Sequence, residues 1–194
     1  MSENQHLVSS RLPTVYGEFV IEAFDSGRNE MPHLILSNLP DGFPDAINVR
    51  IHSECLTGDV FGSTRCDCGE QLAASLKYIE ENKGLLIYLR QEGRGIGLVN
   101  KLKAYNLQDE GMDTIRANHA LGFHADQRKY DAAIDILKQL GIQSINLLTN
   151  NPDKIDAFEN SGIEVKKRIP LMMEIRPENR HYLLTKKNAM GHLL

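Results

Sequence analysis

No cysteine occurs in this 194-residue chain outside one stretch of fourteen positions. No apolar run approaches the roughly 18 residues that a membrane-spanning helix needs. The polar opening MSENQH lacks the basic and apolar regions of a secretory leader. A soluble, cytoplasmic protein is therefore expected, in a compartment where disulfides rarely persist. An excess of one charge is also missing: 22 Lys and Arg are mixed with 26 Asp and Glu, for a net charge of −4. That balance argues against bulk binding of a nucleic-acid backbone, which demands a basic field, but permits a small phosphorylated ligand in a local basic pocket. There is no Ser/Pro-rich linker, internal repeat or low-complexity segment. With 41% hydrophobic residues, the chain suits a single domain over 1–194, of which only 1–11 is expected to be flexible.

What the chain does have is a concentration of thiols. HSECLTGDVFGSTRCDCGEQ, residues 52–71, holds Cys55, Cys66 and Cys68 together with His52, Glu54, Asp59, Asp67 and Glu70. Three thiols can serve a disulfide, a buried apolar cluster or a metal. The odd number argues against a disulfide framework, and Glu54, Arg65, Asp67 and Glu70 are the wrong neighbours for an apolar cluster. Soft thiolates select zinc. Cys-x10-Cys-x-Cys supplies three sulfurs, the ligand count of a catalytic site whose fourth position is left to water or substrate. The Cys-x2-Cys knuckles of structural fingers are absent. His52 is the neighbour that would overturn this by acting as a fourth ligand.

Residues 14–24 and 33–39 are rich in β-formers and read as strands, with a Pro/Asp/Gly loop at 39–46. INVRIH at 47–52 alternates, so a strand there puts Arg50 and His52 on one polar face leading into Glu54 and Cys55. Without the cysteines, that pattern is one of a half-exposed edge strand. Leu72, Leu76 and Ile79 then recur at helical spacing up to Gly84, with Gln71 in the first turn. A strand at 85–89 runs into RQEGRGIG, whose glycines at 93, 95 and 97 suit a backbone that approaches phosphate, although Leu98 leaves the dinucleotide fingerprint incomplete. LVNKLKAYNLQ is helical, with Tyr105 as a core aromatic on its inner face. Ala132, Ala133, Ile136, Leu137 and Leu140 mark a further helix that ends at Gly141. Asp126 stands as its N-cap, which sets Arg128 in the first turn against the helix dipole and points to an anionic partner. SINLLT at 144–149 reads as a buried strand, followed by Asn151 as N-cap and Pro152 as first helical residue. Thr149 and Lys154 thus lie where open α/β sheets bind ligands. IEVKKRIPL is a last strand, and the tail MEIRPENRHYLLTKKNAMGHLL shows only a short helical pattern at its end. The fold expected is α/β: a single three-layer domain with a mixed β-sheet and N-terminal antiparallel strands.

HSECLTGDVFGSTRCDCGEQL, RQEGRGIGLVNKLKAYNLQDEGMDT, NHALGFHADQRKYDAA, LLTNNPDKI and the terminal KKNAMGHLL, in that order, resemble GTP cyclohydrolase II of the riboflavin pathway. The resemblance runs from about Leu12 to Leu194, and no dihydroxybutanone-phosphate synthase module is expected before it. It implies a homodimeric hydrolase that uses zinc and magnesium. Its reaction takes GTP and water to 2,5-diamino-6-(5-phosphoribosylamino)pyrimidin-4(3H)-one, formate and diphosphate. It implies Cys55, Cys66 and Cys68 as zinc ligands, with magnesium accompanying the GTP phosphates. Arg50, Ile51, His52, Ser53, Glu54, Gln71, Glu92, Gly93, Arg94, Thr114, Thr149 and Lys154 are the implied nucleotide contacts. Asp126 is the implied catalytic acid/base, Arg128 acts in the phosphate chemistry, and Tyr105 acts in ring opening and deformylation. His52, inside the nucleotide-binding run, then stays off the zinc.

The chemistry agrees with this assignment. Water must attack a poorly electrophilic imidazole carbon twice, and a Lewis-acidic ion lowers the pKa of water. Three thiolates donate strongly, so Glu54 or Tyr105 is expected to help move protons. Cleaving the α–β phosphate linkage calls for Mg²⁺ and cations. Arg128 would have to lose a proton to Asp126 before acting as a nucleophile, and a purely electrostatic role stands open beside that one. Two readings come from other classes. A zinc-stabilised nucleic-acid or protein interaction module would need a fourth protein ligand and a basic face. A nicotinamide-dependent oxidoreductase would use the glycine loop but has no need of three thiolates.

Overall fold

A computed structural model describes residues 4–27, 31–39, 45–124, 126–173, 191 and 193. His6–Thr14 (β1) and Gly17–Phe24 (β2) form an antiparallel hairpin, and His33–Asn38 (β3) continues it. The strand expected over 14–24 therefore begins later, after a turn in which Thr14 Oγ1 donates to the Gly17 carbonyl at 2.9 Å. Of the stretch 1–11, the part from His6 onward belongs to β1 and pairs along β2. Ile47–Ser53 (β4) leads through Leu56–Asp59 (α1) and Cys68–Asn82 (α2) to Gly84–Leu89 (β5). β5 lies parallel to β4 and antiparallel to β3. A 3-10 turn at Glu92–Gly95 precedes Leu98–Asp109 (α3), Thr114–Ala120 (α4) and Asp131–Gln139 (α5). Ser144–Leu148 (β6), Pro152–Asp156 (α6) and Glu164–Ile169 (β7) follow. The seven-stranded sheet runs β1-β2-β3-β5-β4-β6-β7, antiparallel on one side and parallel on the other. The helical pattern at the end of the tail, most of KKNAMGHLL and most of the 39–46 loop lie outside the described residues.

Strand alternation divides the interior between the two faces of this sheet. Ile47, Val49 and Ile51 of β4, Leu85, Ile87 and Leu89 of β5, and Ile145 and Leu147 of β6 share one core with Ala133, Ile134, Ile136 and Leu137 of α5. Leu86, one step out of phase, joins Leu76 and Ile79 of α2 and Phe19 in a second core. Helices on both faces give the three layers.

β4 lies between β5 and β6, not at the edge that its alternation alone, without the cysteines, would suggest. Its polar face is covered by α2, so Arg50 and His52 are only 5% and 2% exposed. Asp126 is not an N-cap: α5 begins at Asp131, with Tyr130 in the capping position. The Asp126 carboxylate instead accepts from the Arg128 amide at 3.0 Å, and the helix-dipole argument for Arg128 falls with the cap. Helix α4, for which no apolar period gives a signal, is started by Asp113, whose carboxylate accepts from the Ile115 and Arg116 amides.

Ile87 is fully buried at the centre of the larger core. Ile87→Ala is expected to cost about 2–5 kcal/mol, read in urea as a lower unfolding midpoint at unchanged slope.

Candidate metal centre and cleft

The three cysteines converge at the carboxyl end of β4. Cys55 stands directly before α1, Cys66 lies in the turn that follows, and Cys68 opens α2. Their Sγ atoms all lie within 4.8 Å of one another, and Cys55 Sγ is 3.6 Å from Cys66 Sγ. Cys55 and Cys66 are buried, Cys68 is half-buried, and none is in a disulfide. Three soft donors at this spacing fit a single metal ion. Hydrogen bonds from Cys66 and Cys68 hold the Cys55 thiol well below its ordinary pKa, against its burial and with help from the Lys101 ammonium. The same sharing pushes Cys66 up to about 11 and raises Cys68 as well.

Two glycines permit this convergence. A Cβ on Gly69 would sit 2.3 Å from the Gly58 carbonyl oxygen, so α1 can press on the start of α2 only if that side chain is missing. A Cβ on Gly58 would meet Cys66 Sγ at 3.0 Å and Cys55 Sγ at 3.3 Å. Asp59 then pins the corner. Its carboxylate accepts from the Cys55 amide at 2.9 Å and the Tyr88 hydroxyl at 2.8 Å, and faces His52 Nε2 at 3.1 Å. His52 is therefore turned toward Asp59 rather than joining the sulfurs. Burial lowers its pKa, against the pull of Asp59. Glu92 braces the other side: one carboxylate oxygen accepts from the Leu56 amide at 2.6 Å, and the other from the Gly93 amide at 2.6 Å and Lys101 Nζ at 2.8 Å.

The sulfurs line a cleft of about 90 Å³, open to solvent, whose wall also includes Ser53, Glu54, Glu92, Gly93, Arg94, Thr114 and Arg128. The glycine loop after β5 supplies Arg94 in a left-handed conformation, φ 60°, a region that few non-glycine residues occupy. Gly95, also left-handed, leaves room for Gln127, whose amide donates to the Arg94 carbonyl at 3.0 Å. This clasp brings Arg94 and Arg128 into one wall. Arg128 Nε donates to Asp126 Oδ1 at 2.9 Å and Oδ2 at 3.0 Å, and Nη2 also donates to Oδ2. Burial alone would raise the Asp126 carboxyl, but the Arg128 hydrogen bonds and charge outweigh it and hold the pKa below the usual value.

A family model described as GTP cyclohydrolase II matches residues 5–170. The chain belongs to the GTP cyclohydrolase II family. The GTP cyclohydrolase-2 of Campylobacter hominis is 52% identical over 185 residues, covering 95% of this chain and 93% of that protein. Riboflavin biosynthesis protein RibBA of Chlorobium phaeovibrioides is 49% identical over 191 residues, covering 98% of this chain and 47% of its own length. The RibBA protein of Bacillus cereus strain G9842 is 53% identical over 188 residues, again with 47% of its length covered. The chain thus spans about half the length of the RibBA relatives and nearly all of the Campylobacter protein.

For this GTP cyclohydrolase II family member, the cleft gathers the cysteines with Ser53, Glu54, Glu92, Gly93, Arg94, Thr114 and Arg128. The other residues singled out in the sequence are not part of its wall. Arg50 Nη2 donates to Gln71 Oε1 at 2.7 Å, Gln71 donates to Asp67 at 2.6 Å, and Arg50 Nη1 reaches the Leu148 carbonyl at 2.9 Å. Burial lowers the Arg50 pKa to about 10. Lys154 Nζ donates to the Ile51 carbonyl at 2.7 Å, and Thr149 Oγ1 accepts from the Asn151 amide at 3.0 Å. Tyr105 is not the core aromatic its spacing suggests. Its hydroxyl is 3.4 Å from Thr57 Oγ1, and the Arg65 guanidinium lies 4.8 Å from its ring centre. Sequence reasoning missed Lys101 and Asn118, both in the cleft wall. A lysine in the first turn of α3, against the helix dipole, was the available signal for the first. Asn118 lies in α4, which had no periodic signal of its own.

Gly69→Ala is expected to drive α1 off α2 and separate Cys55 from Cys68. Bound metal per chain, by elemental analysis, should fall by about 10-fold or more while far-ultraviolet circular dichroism keeps its native shape.

Proposed function

We infer that the protein is a GTP cyclohydrolase II, converting GTP and water to 2,5-diamino-6-(5-phosphoribosylamino)pyrimidin-4(3H)-one, formate and diphosphate. The observation that carries this reading is a trio of sulfurs sharing one cleft with Arg94 and Arg128, so that three donors fit for a metal and two guanidinium groups line the same volume. The family membership and the 52% identity to a protein named GTP cyclohydrolase-2 support it. Cys55, Cys66 and Cys68 would hold a zinc ion, which when bound supplies Lewis acidity toward water. The same set includes no fourth protein donor among the described residues, which favours an enzyme over a zinc-stabilised interaction module.

Proton movement falls to residues beside the sulfurs. The Glu54 side chain is 9% exposed and accepts from Arg90 Nη1 at 2.8 Å. Burial raises its carboxyl pKa despite the Arg90 charge. A carboxyl beside the sulfurs is placed to take a proton from an attacking water and return it to a leaving nitrogen. The Tyr105 phenol, raised by burial, stays protonated and serves as a donor. Arg94 and Arg128 balance the charge that develops as the phosphate linkage breaks. The fork with Asp126 keeps Arg128 charged and oriented, and a carboxyl held below its usual pKa is a poor acceptor for a guanidinium proton. That supports an electrostatic role for Arg128 over a covalent one. The reading also carries magnesium on the GTP phosphates, a homodimer, a cytoplasmic location and no nucleic-acid partner. Among the described residues no helix is long and apolar enough to cross a membrane.

Purified protein incubated with GTP, zinc and magnesium should release formate and diphosphate in equal amounts, identified by mass spectrometry of the products. GTP that stays intact under these conditions would remove the assignment. Cys66→Ser should lose formate release along with the metal. Arg128→Ala should keep the metal but lose about 100- to 1,000-fold in diphosphate release, and an unchanged rate would take Arg128 out of the chemistry.

A further inference from the structure

Lys101 is largely shielded from solvent beside the cysteines. It sits in the first turn of α3, whose dipole disfavours a cation, and only 11% of its side chain is exposed. Its Nζ donates to Cys55 Sγ at 3.1 Å and to Glu92 Oε1 at 2.8 Å, and lies 5.8 Å from the centre of the Tyr105 ring. Glu92 is itself fixed, because its other oxygen takes the Leu56 amide, the peptide next to Cys55. The ammonium is thus held over one particular sulfur by a carboxylate anchored to that sulfur's own backbone.

We propose that Lys101 is a positioning residue for the metal centre, whose hydrogen bond to Cys55 Sγ sets how much charge that sulfur donates to a bound ion. The inference rests on the reading of Cys55, Cys66 and Cys68 as metal ligands. Three thiolates around a divalent ion leave one surplus negative charge, and a single ammonium at hydrogen-bond distance cancels it. An N–H···S bond also withdraws electron density from the sulfur, so the ion keeps more of its Lewis acidity than three unmodified thiolates would leave it.

Cobalt(II) exchanged into the full-length protein tests this through its sulfur-to-cobalt charge-transfer absorption, which reports the energy of the sulfur lone pairs independently of turnover. A hydrogen bond lowers those lone pairs, so Lys101→Met should move the band to longer wavelength, and Lys101→Arg, which keeps charge and donors, should return it toward the wild-type position. Lys101→Gln, more polar and without charge, gives the same comparison if circular dichroism shows that the methionine variant does not fold. A lysine that serves only to pair with Glu92 would leave the band where it is in every variant, and that result overturns the proposal. A wild-type protein that takes up cobalt without any charge-transfer band would instead overturn the metal-ligand reading itself, and the role of Lys101 with it.

Discussion

The contact between the Gly58 carbonyl and the α-carbon of Gly69 sets the geometry of the site. With a hydrogen where every other residue carries Cβ, α1 and the amino end of α2 come together at a distance that any side chain would prevent. Cys55 sits just before one of these helices and Cys68 opens the other, so the approach of two backbones becomes the approach of two sulfurs. Cys66, one turn earlier, is carried into the same space. The site is made by a backbone contact first and by thiols second.

Around that contact the buried polar groups form short chains, each ending on backbone. Asp59 joins the Cys55 amide to His52 and Tyr88. Glu92 joins the Leu56 amide to Lys101 and through it to Cys55. Gln71 joins Asp67, which precedes Cys68, to Arg50, which reaches the end of β6. Charges in a dry interior are tolerated only when each is met by partners, and removing one member strands the rest. The cysteine corner is therefore tied to β4, β5 and β6 separately, and a shift of any one strand end is felt at the sulfurs.

The cysteine cluster was legible because rarity is visible in a sequence: three thiols within fourteen positions and none elsewhere need no structure to stand out. The strands at 33–39, 47–52 and 85–89 followed from β-former content, alternation and a short apolar run, and the helix after Cys68 from its apolar period. β4 shows where period stops being informative. Alternating Arg50 and His52 read the same whether that face meets water or two helices that bring Gln71 and Asp59 to meet them, because alternation reports two faces and not what covers them. Asp126 shows a second limit. An aspartate two residues before a basic residue and five before a helix suits an N-cap and equally a carboxylate that pairs with its own neighbour, and only the start of α5 at Asp131 decides between them. The clasp of Gln127 on Arg94 joins residues far apart in the chain, and no local pattern encodes it.

The strand order explains why the expected contacts fall into two groups. From β4 the chain passes through α2 to β5 on one side, and from β6 it passes through α6 to β7 on the other, so the connections diverge between β4 and β6. Open sheets bind ligands at the carboxyl ends of strands that part in this way. Ser53, Glu54 and Cys55 leave β4 there, while Thr149 and Lys154 follow β6. Two hydrogen bonds span the gap, from Arg50 to the Leu148 carbonyl and from Lys154 to the Ile51 carbonyl. The carbonyls they engage lie at the ends of the two diverging strands, and each cation comes from the strand opposite or the helix beyond it. Arg50 and Lys154 are thus each engaged by a backbone carbonyl at the place where the topology opens.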